Sequence, residues 1–98
     1  MSFDYIEVRK AEAELRSVLA VLERNGAGYT EVLRGLLADM GSNNRFVAKE
    51  AFFKAAELCH PKCLGDQYLK DISSEEWFVM LAKLEEACAA AFKCLEKG

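Results

Sequence analysis

The sequence predicts an all-α fold, an antiparallel bundle of four main helices with a short helical turn in the third connection. Apolar residues recur at alternating spacings of three and four, which is the pattern of an amphipathic α-helix. Capping residues, glycines and the single proline interrupt that pattern. No segment alternates apolar and polar residues as a half-buried strand does. Short connections favour antiparallel neighbours, and a length of 98 residues favours one helical-bundle domain over residues 1–98.

The first helix is predicted within residues 4–26. Asp4, followed by Glu7 three residues later, resembles a capping box and marks the start. Asn25 and Gly26 supply a left-handed stop. One apolar stripe runs between these signals, and it consists of Val8, Ala11, Leu15, Val18 and Leu22.

The second helix is predicted within residues 28–41. Thr30 is the expected cap and Gly41 the expected end. Gly35 lies inside it, where glycine costs about 1 kcal/mol relative to alanine, so we expect the first helix to approach closely there. The apolar face is predicted to comprise Val32, Leu33, Leu36, Leu37 and Met40.

The third helix is predicted within residues 42–60, after good N-cap residues at 42–44. Pro61 cannot continue it and disfavours helical geometry at His60. Its apolar residues are too many for one narrow stripe, so we expect it to pack on two neighbours. They are Phe46, Phe52, Phe53, Ala55, Ala56 and Leu58.

The third connection and the last helix carry the clearest signals. A single helical turn is expected around residues 66–69, and Tyr68, Leu69 and Ile72 are expected to hold the connection against the core. Ser73 and Glu76 form a capping box at the start of the last helix. Its apolar stripe repeats at four and three residues through Trp77, Leu81, Leu84, Cys88, Ala91 and Leu95.

Composition excludes several classes of function. The net charge of −3 argues against a nucleic-acid binder, which needs a basic face to neutralise phosphates. No apolar run reaches the length of a membrane span. Asp4 and Glu7 stand where a signal peptide would be basic and then apolar. We therefore expect a cytoplasmic protein whose four cysteines are reduced.

The segment Cys59-His60-Pro61-Lys62-Cys63 admits several interpretations. A zinc site would need about four converging nitrogen or sulfur ligands, and a nucleophile would need His60 within hydrogen-bond reach of a thiol. A redox pair would need a lowered thiol pKa. A helix stop, with His60 as a capping donor, is favoured over all three. Cys59, His60 and Cys63 remain the candidates for a metal, but we expect no metal and no cofactor.

The other cysteines do not complete a site. Cys88 and Cys94 are six residues apart, so a helix turns through about 600° between them and they lie on different faces. No glycine-rich phosphate loop and no His–Glu metal motif occurs. The sequence therefore predicts no enzyme and favours binding to another protein.

The predicted binding patch is the polar third connection with the start of the last helix. Tyrosine and carboxylates on a rigid corner are typical of protein-binding surfaces. The candidate residues are Asp66, Gln67, Tyr68, Asp71, Glu75 and Glu76.

The run VLERNGAGYTEVLRGLLADMG, residues 21–41, consists of a helix end, a glycine break and a short amphipathic helix. It resembles segments of small all-helical immunity proteins of bacterial toxin–immunity systems. The resemblance implies stoichiometric inhibition of a toxin domain, often a nuclease, by an acidic patch that stands in for phosphates over a basic active site. The alternative is a helical adaptor, a secretion chaperone or an oligomerising regulator that uses Phe46 and Phe53 as its contact.

Overall fold

The part of the chain that the structure describes forms four α-helices joined by short connections. The computed structural model describes residues 6–60, 62–67 and 69–97, except the side chains of Asp66 and Lys97. These residues contain no strand, so the all-α prediction is confirmed. The helices are α1 (Ile6–Arg24), α2 (Thr30–Met40), α3 (Arg45–Leu58) and α4 (Ser74–Lys97), with a 3-10 turn at Leu64–Asp66.

Helices that are neighbours in the chain are also neighbours in space. α1 packs on α2, α2 on α3, α3 on α4, and α4 closes the ring against α1. The two faces of α4 that meet α1 and α3 form the most extensive contacts of the bundle. α3 thus packs on two neighbours, as its surplus of apolar residues predicts. No described helix is both long and apolar enough to cross a membrane.

One contiguous apolar core lies between the helices. The predicted stripes of α1 and α4 are both buried, with Val8, Leu15 and Leu84 each at most 1% exposed. Burying a side chain of this size stabilises the fold by about 1.5–3 kcal/mol. Among the side chains that the structure describes, none that is charged or polar is buried.

The predicted stop after α1 is confirmed. Gly26 adopts the left-handed conformation with φ 60°. Its amide donates to the carbonyl of Glu23, and the amide of Ala27 donates to that of Leu22. These bonds satisfy carbonyls at the end of α1 that have no partner within the helix. Asp4, the proposed start of the capping box, lies outside the described residues.

Three expectations for α2 are wrong. Its N-cap is Tyr29, not Thr30, and no side chain caps it. Tyr29 is left-handed with φ 73°, which costs a non-glycine residue about 1–2 kcal/mol, and its packing against the core offsets that strain. Val32 is 51% exposed, outside the buried face. A Cβ atom on Gly35 would meet nothing within 4 Å, so close approach of α1 does not explain this glycine.

The ends of the remaining helices follow the predicted signals. Gly41 closes α2, and its amide donates to the carbonyls of Leu37 and Ala38. Asn44 caps α3, because its Oδ1 accepts from the amides of Phe46 and Val47 at 2.9 and 3.3 Å.

The capping box of α4 is also confirmed. The Ser73 Oγ accepts from the amide of Glu76 at 3.1 Å, and the Ser73 hydroxyl donates to the Glu76 Oε1 at 3.2 Å. The start of α4 is therefore fixed by local bonds.

Trp77 holds the third connection from inside the bundle. Its indole Nε1 donates to the carbonyl of Leu64 at 2.8 Å, and both side chains are buried. The carbonyl also accepts from the Gln67 amide, which closes the 3-10 turn. The helical turn thus occurs at Leu64–Asp66 instead of residues 66–69, because the buried Leu64 and the indole fix it there.

Trp77→Phe should lower the free energy of unfolding by about 1–2 kcal/mol. The substitution removes the hydrogen bond to Leu64 and leaves a smaller ring in the core. Urea unfolding followed by circular dichroism measures the loss, since the fluorescence of the only tryptophan is lost too. Phe78→Leu, on an exposed neighbour, should change stability by less than about 0.5 kcal/mol. Equal stability of Trp77→Phe and the natural chain would contradict this account of the turn.

Candidate functional site

Asn25 holds the third connection from outside the bundle. Its side-chain Nδ2 donates to the Val21 carbonyl at 2.8 Å and to the Asp71 Oδ1 at 2.7 Å. Its Oδ1 accepts from the Lys70 amide at 2.9 Å. The end of α1 and the segment before α4 are therefore joined by one side chain.

Asp71, a predicted binding residue, takes part in this junction. Its Oδ2 accepts from the Arg24 Nε at 2.8 Å, while its Oδ1 accepts from Asn25. The hydrogen bond from Asn25, and then that from Arg24, lower the pKa of the Asp71 carboxyl below its ordinary value. The carboxylate is thus charged and already bonded within the chain, although it is exposed.

The other predicted carboxylates lie at the start of α4. Glu75 and Glu76 are exposed there. Glu76 is bonded to Ser73 in the capping box, whereas Glu75 has no ion-pair partner among the described residues.

These glutamates border an open apolar groove of about 390 Å³. Spacings of three and four residues bring its helical members to one side of α4. Val79 is 53% exposed, while Ile72 and Met80 are half-buried against the core. We call this site the acidic groove, and it consists of Ile72, Glu75, Glu76, Val79 and Met80.

Gln67, another predicted binding residue, lies beside the acidic groove. It lines a smaller hollow of about 80 Å³ whose other lining residues include Ile72 and Phe78. A Cβ atom on Gly28 would lie 3.9 Å from its Oε1, so the corner between α1 and α2 adjoins this hollow. Tyr68 and the side chain of Asp66 lie outside the described part of the chain.

The sequence does not identify every residue of the acidic groove as a binding residue. Val79 and Met80 were not among the predicted binding residues, and Ile72 was assigned only to the core. Their signal is a second apolar strip beside the core stripe of α4, at spacings of three and four from Glu75 and Glu76. Because α4 packs on both α1 and α3, a second apolar strip alone does not distinguish a further helix contact from an exposed surface.

A second exposed apolar surface lies where α3 meets α4. Phe46 is 74% exposed and Phe53 is 50% exposed. Phe53 and Phe92 are in ring contact at 5.8 Å between centroids, and the Lys49 Nζ lies 5.3 Å from the Phe92 centroid. We call Phe46, Phe53 and Phe92 the aromatic face.

The candidate metal and nucleophile residues do not converge. Cys59 is buried at the end of α3, His60 is exposed, and Cys63 is half-buried. The Nδ1 of His60 accepts from the Lys62 amide at 3.1 Å, so the imidazole is an acceptor here and not the expected donor. Within the described ranges, no group of three or more His, Cys, Asp or Glu residues could hold a metal ion.

The buried thiols are poor nucleophiles. Burial, with the Glu85 carboxylate adding to it, raises the pKa of Cys59 to about 12. Burial, with Cys59 nearby, likewise raises the pKa of Cys88 to about 12. The Cys59 thiol also donates to the Ala55 carbonyl at 3.4 Å. Because the thiolate is the reactive form, both thiols are held in the unreactive state at neutral pH.

No family model, curated protein or solved structure matches this chain. Its function therefore has to be inferred from its own residues, chiefly those of the two exposed apolar surfaces.

Cys59 and Cys88 should react with Ellman's reagent at pH 8 far more slowly than Cys63 and Cys94. A pKa of about 12 leaves on the order of a thousandfold less thiolate than an ordinary cysteine has. Quenched labelling with mass spectrometry of the peptides assigns each rate. In guanidinium chloride, which unfolds the chain, all four cysteines should react at similar rates. Fast reaction of Cys59 in the folded chain would show that its thiol is accessible and activated. That result would support the interpretation of Cys59 as a nucleophile.

Proposed function

We propose that this protein binds another protein stoichiometrically and inhibits it, with the acidic groove as the contact. The favoured partner is a toxin or nuclease domain with a basic active site, as for immunity proteins of bacterial toxin–immunity systems. The observation that carries the proposal is one exposed surface where Glu75 and Glu76 border an apolar floor. The action is binding, and no chemical step on a substrate is assigned to this chain.

The two parts of the acidic groove have different roles in this proposal. Glu75 and Glu76 present negative charge to a basic cleft, where they occupy the place of substrate phosphates and steer the encounter. The floor formed by Ile72, Val79 and Met80 loses water on binding and supplies affinity that salt does not screen. The partner's active site is thus blocked by occlusion.

The third connection, on which the acidic groove is built, is fixed by hydrogen bonds on two sides. A fixed surface of this kind is favourable for an inhibitor. Trp77 bonds it to the core and Asn25 bonds it to α1. A surface that is already ordered loses less conformational entropy on binding than a mobile loop does. Asp71 has a supporting role in the proposal, because Arg24 and Asn25 already bind its carboxylate.

The proposal also includes an antiparallel arrangement of the helices and a cytoplasmic location. Each helix packs on the next one in the chain through a short connection, which supports an antiparallel arrangement. The free cysteines suit the reducing cytoplasm, where an immunity-type inhibitor would meet its toxin.

Glu75→Lys/Glu76→Gln should weaken binding to the cognate toxin domain by about tenfold or more at low salt. Glutamine at position 76 keeps a residue that a capping box accepts. The first partner to test is the product of the gene immediately upstream. Titration calorimetry at low salt and at about 1 M salt, where the Debye length is about 3 Å, separates the charge effect from apolar burial.

Glu85→Lys/Glu86→Gln is the matched control. It makes the same change in net charge on exposed residues of α4, about 13 Å along the helix from Glu76. At about 0.15 M salt, where the Debye length is about 8 Å, it should leave the affinity within about twofold, because its charges lie farther than that from those of the acidic groove. Equal effects of both variants would place the contact elsewhere. An upstream gene that encodes no toxin would remove the immunity proposal.

A further inference from the structure

We infer that the aromatic face is the interface of a weak, symmetric homodimer. The claim goes beyond the proposed function, because it concerns a different surface and a second copy of this chain. The face combines aromatic side chains that the bundle leaves exposed with a charge pattern that matches itself.

The aromatic face has a shape that two copies can share. Phe46 lies near the start of α3 and is 74% exposed, against 50% for Phe53. Open grooves of about 380 and 310 Å³ lie beside Phe53 and Phe92. In a twofold arrangement, Phe46 of each copy enters the groove beside Phe53 and Phe92 of the other. Each copy thereby buries the exposed Phe46 ring of its partner.

The charges around this face are balanced. Lys49 and Lys93 line the grooves together with Glu50 and Glu96, two cations and two anions on a chain whose net charge is −3. A twofold interface brings the same patch of both subunits together, so it must be complementary to itself. Glu50 is already paired with Lys54 at 3.4 Å, and the Lys49 Nζ lies over the Phe92 ring. The pair left for contact across the twofold axis is therefore Lys93 of one copy with Glu96 of the other.

The acidic groove provides the contrast. Its charged residues, Glu75 and Glu76, are all negative, so two copies meeting there would repel each other. That surface fits a basic partner of another kind, and the aromatic face fits a second copy. The charge pattern therefore assigns different occupants to the two apolar surfaces.

The size of the aromatic face sets the strength of the dimer. α3 has 14 residues and is therefore about 21 Å long, and two adjacent helices span about 20 Å, so the face covers about 400 Å² in projection. A stable interface buries about 800 Å² on each partner. A contact smaller than a standard interface belongs to the weak, transient class, so we expect a dissociation constant on the order of 1–100 µM.

The two surfaces can be occupied together. Phe92 is 16 residues after Glu76 on α4, a separation of about 24 Å along the helix. The dimer therefore leaves the acidic groove open. If the chain does not dimerise, the inhibitor proposal is unaffected. If the chain does not bind a toxin domain, the homodimer inference is unaffected.

Sedimentation velocity of the whole chain with reductant, over about 1–500 µM, tests the inference. The natural chain should shift from monomer to dimer with rising concentration, as the predicted constant requires. Phe46→Ser should weaken the dimer at least about tenfold, because it removes a central aromatic contact. Helix content measured by circular dichroism should stay unchanged, since Phe46 is exposed.

Phe78→Ser is the matched control, since Phe78 is 48% exposed and lies away from the aromatic face. It should dimerise like the natural chain. A monomer throughout the concentration range, an assembly larger than a dimer, or equal weakening by both substitutions would overturn the inference. Loss of helix content in Phe46→Ser would move the test to Phe53→Ser, for which the same outcomes apply.

Discussion

The hydrogen bond from the Trp77 indole to the Leu64 carbonyl is the interaction on which the proposed binding surface depends. Trp77 and Leu64 are 3% and 0% exposed, so the bond lies in the core, where a hydrogen bond is stronger than in water. The bond fixes the 3-10 turn, and the turn fixes where the connection enters α4. Asn25 then bonds the far part of that connection to the end of α1. An interior bond and a surface junction together place the acidic groove.

This arrangement divides the predicted carboxylates into two kinds. Asp71 is bonded to Arg24 and Asn25, so its charge serves the fold. Glu75 and Glu76 are exposed beside apolar side chains, and Glu76 also accepts a hydrogen bond from Ser73, so in the proposal Glu75 is the carboxylate left wholly to a partner. The cysteines follow a similar division. Cys59 and Cys88 fill the core as small apolar groups, and their chemistry is suppressed by burial.

The sequence predicts well those features that local signals determine. The repeats of α1 and α4 identify their buried faces, and Ser73 and Asn44 identify two helix starts. Tyr29 is the exception, because it is a partly buried, left-handed residue at the start of α2 and no local signal predicts a tyrosine there. The order of the helices around the ring depends on which faces meet, and a pattern along one chain does not contain that information.

The candidate site was only partly predictable for the same reason. Glu75 and Glu76 are visible as carboxylates at a helix start, and the periodicity of α4 is visible too. The division of its apolar residues between core and groove requires knowing which sides α1 and α3 cover. Val79 therefore looks like any apolar helix residue until the neighbours are in place. Asp71 looks like a free carboxylate until Arg24 and Asn25, over 40 positions earlier in the chain, are brought beside it.

Hydrogen exchange of the Trp77 indole and the Lys70 amide, measured by NMR, tests most directly whether the third connection belongs to the core structure. Both groups donate hydrogen bonds in the fold, one to Leu64 and one to Asn25. Their exchange should require an opening free energy close to that of the Leu84 amide in the middle of α4. Exchange of either group at the rate of an unprotected amide or indole would show that the connection opens alone, and the account of a pre-ordered binding surface would be wrong.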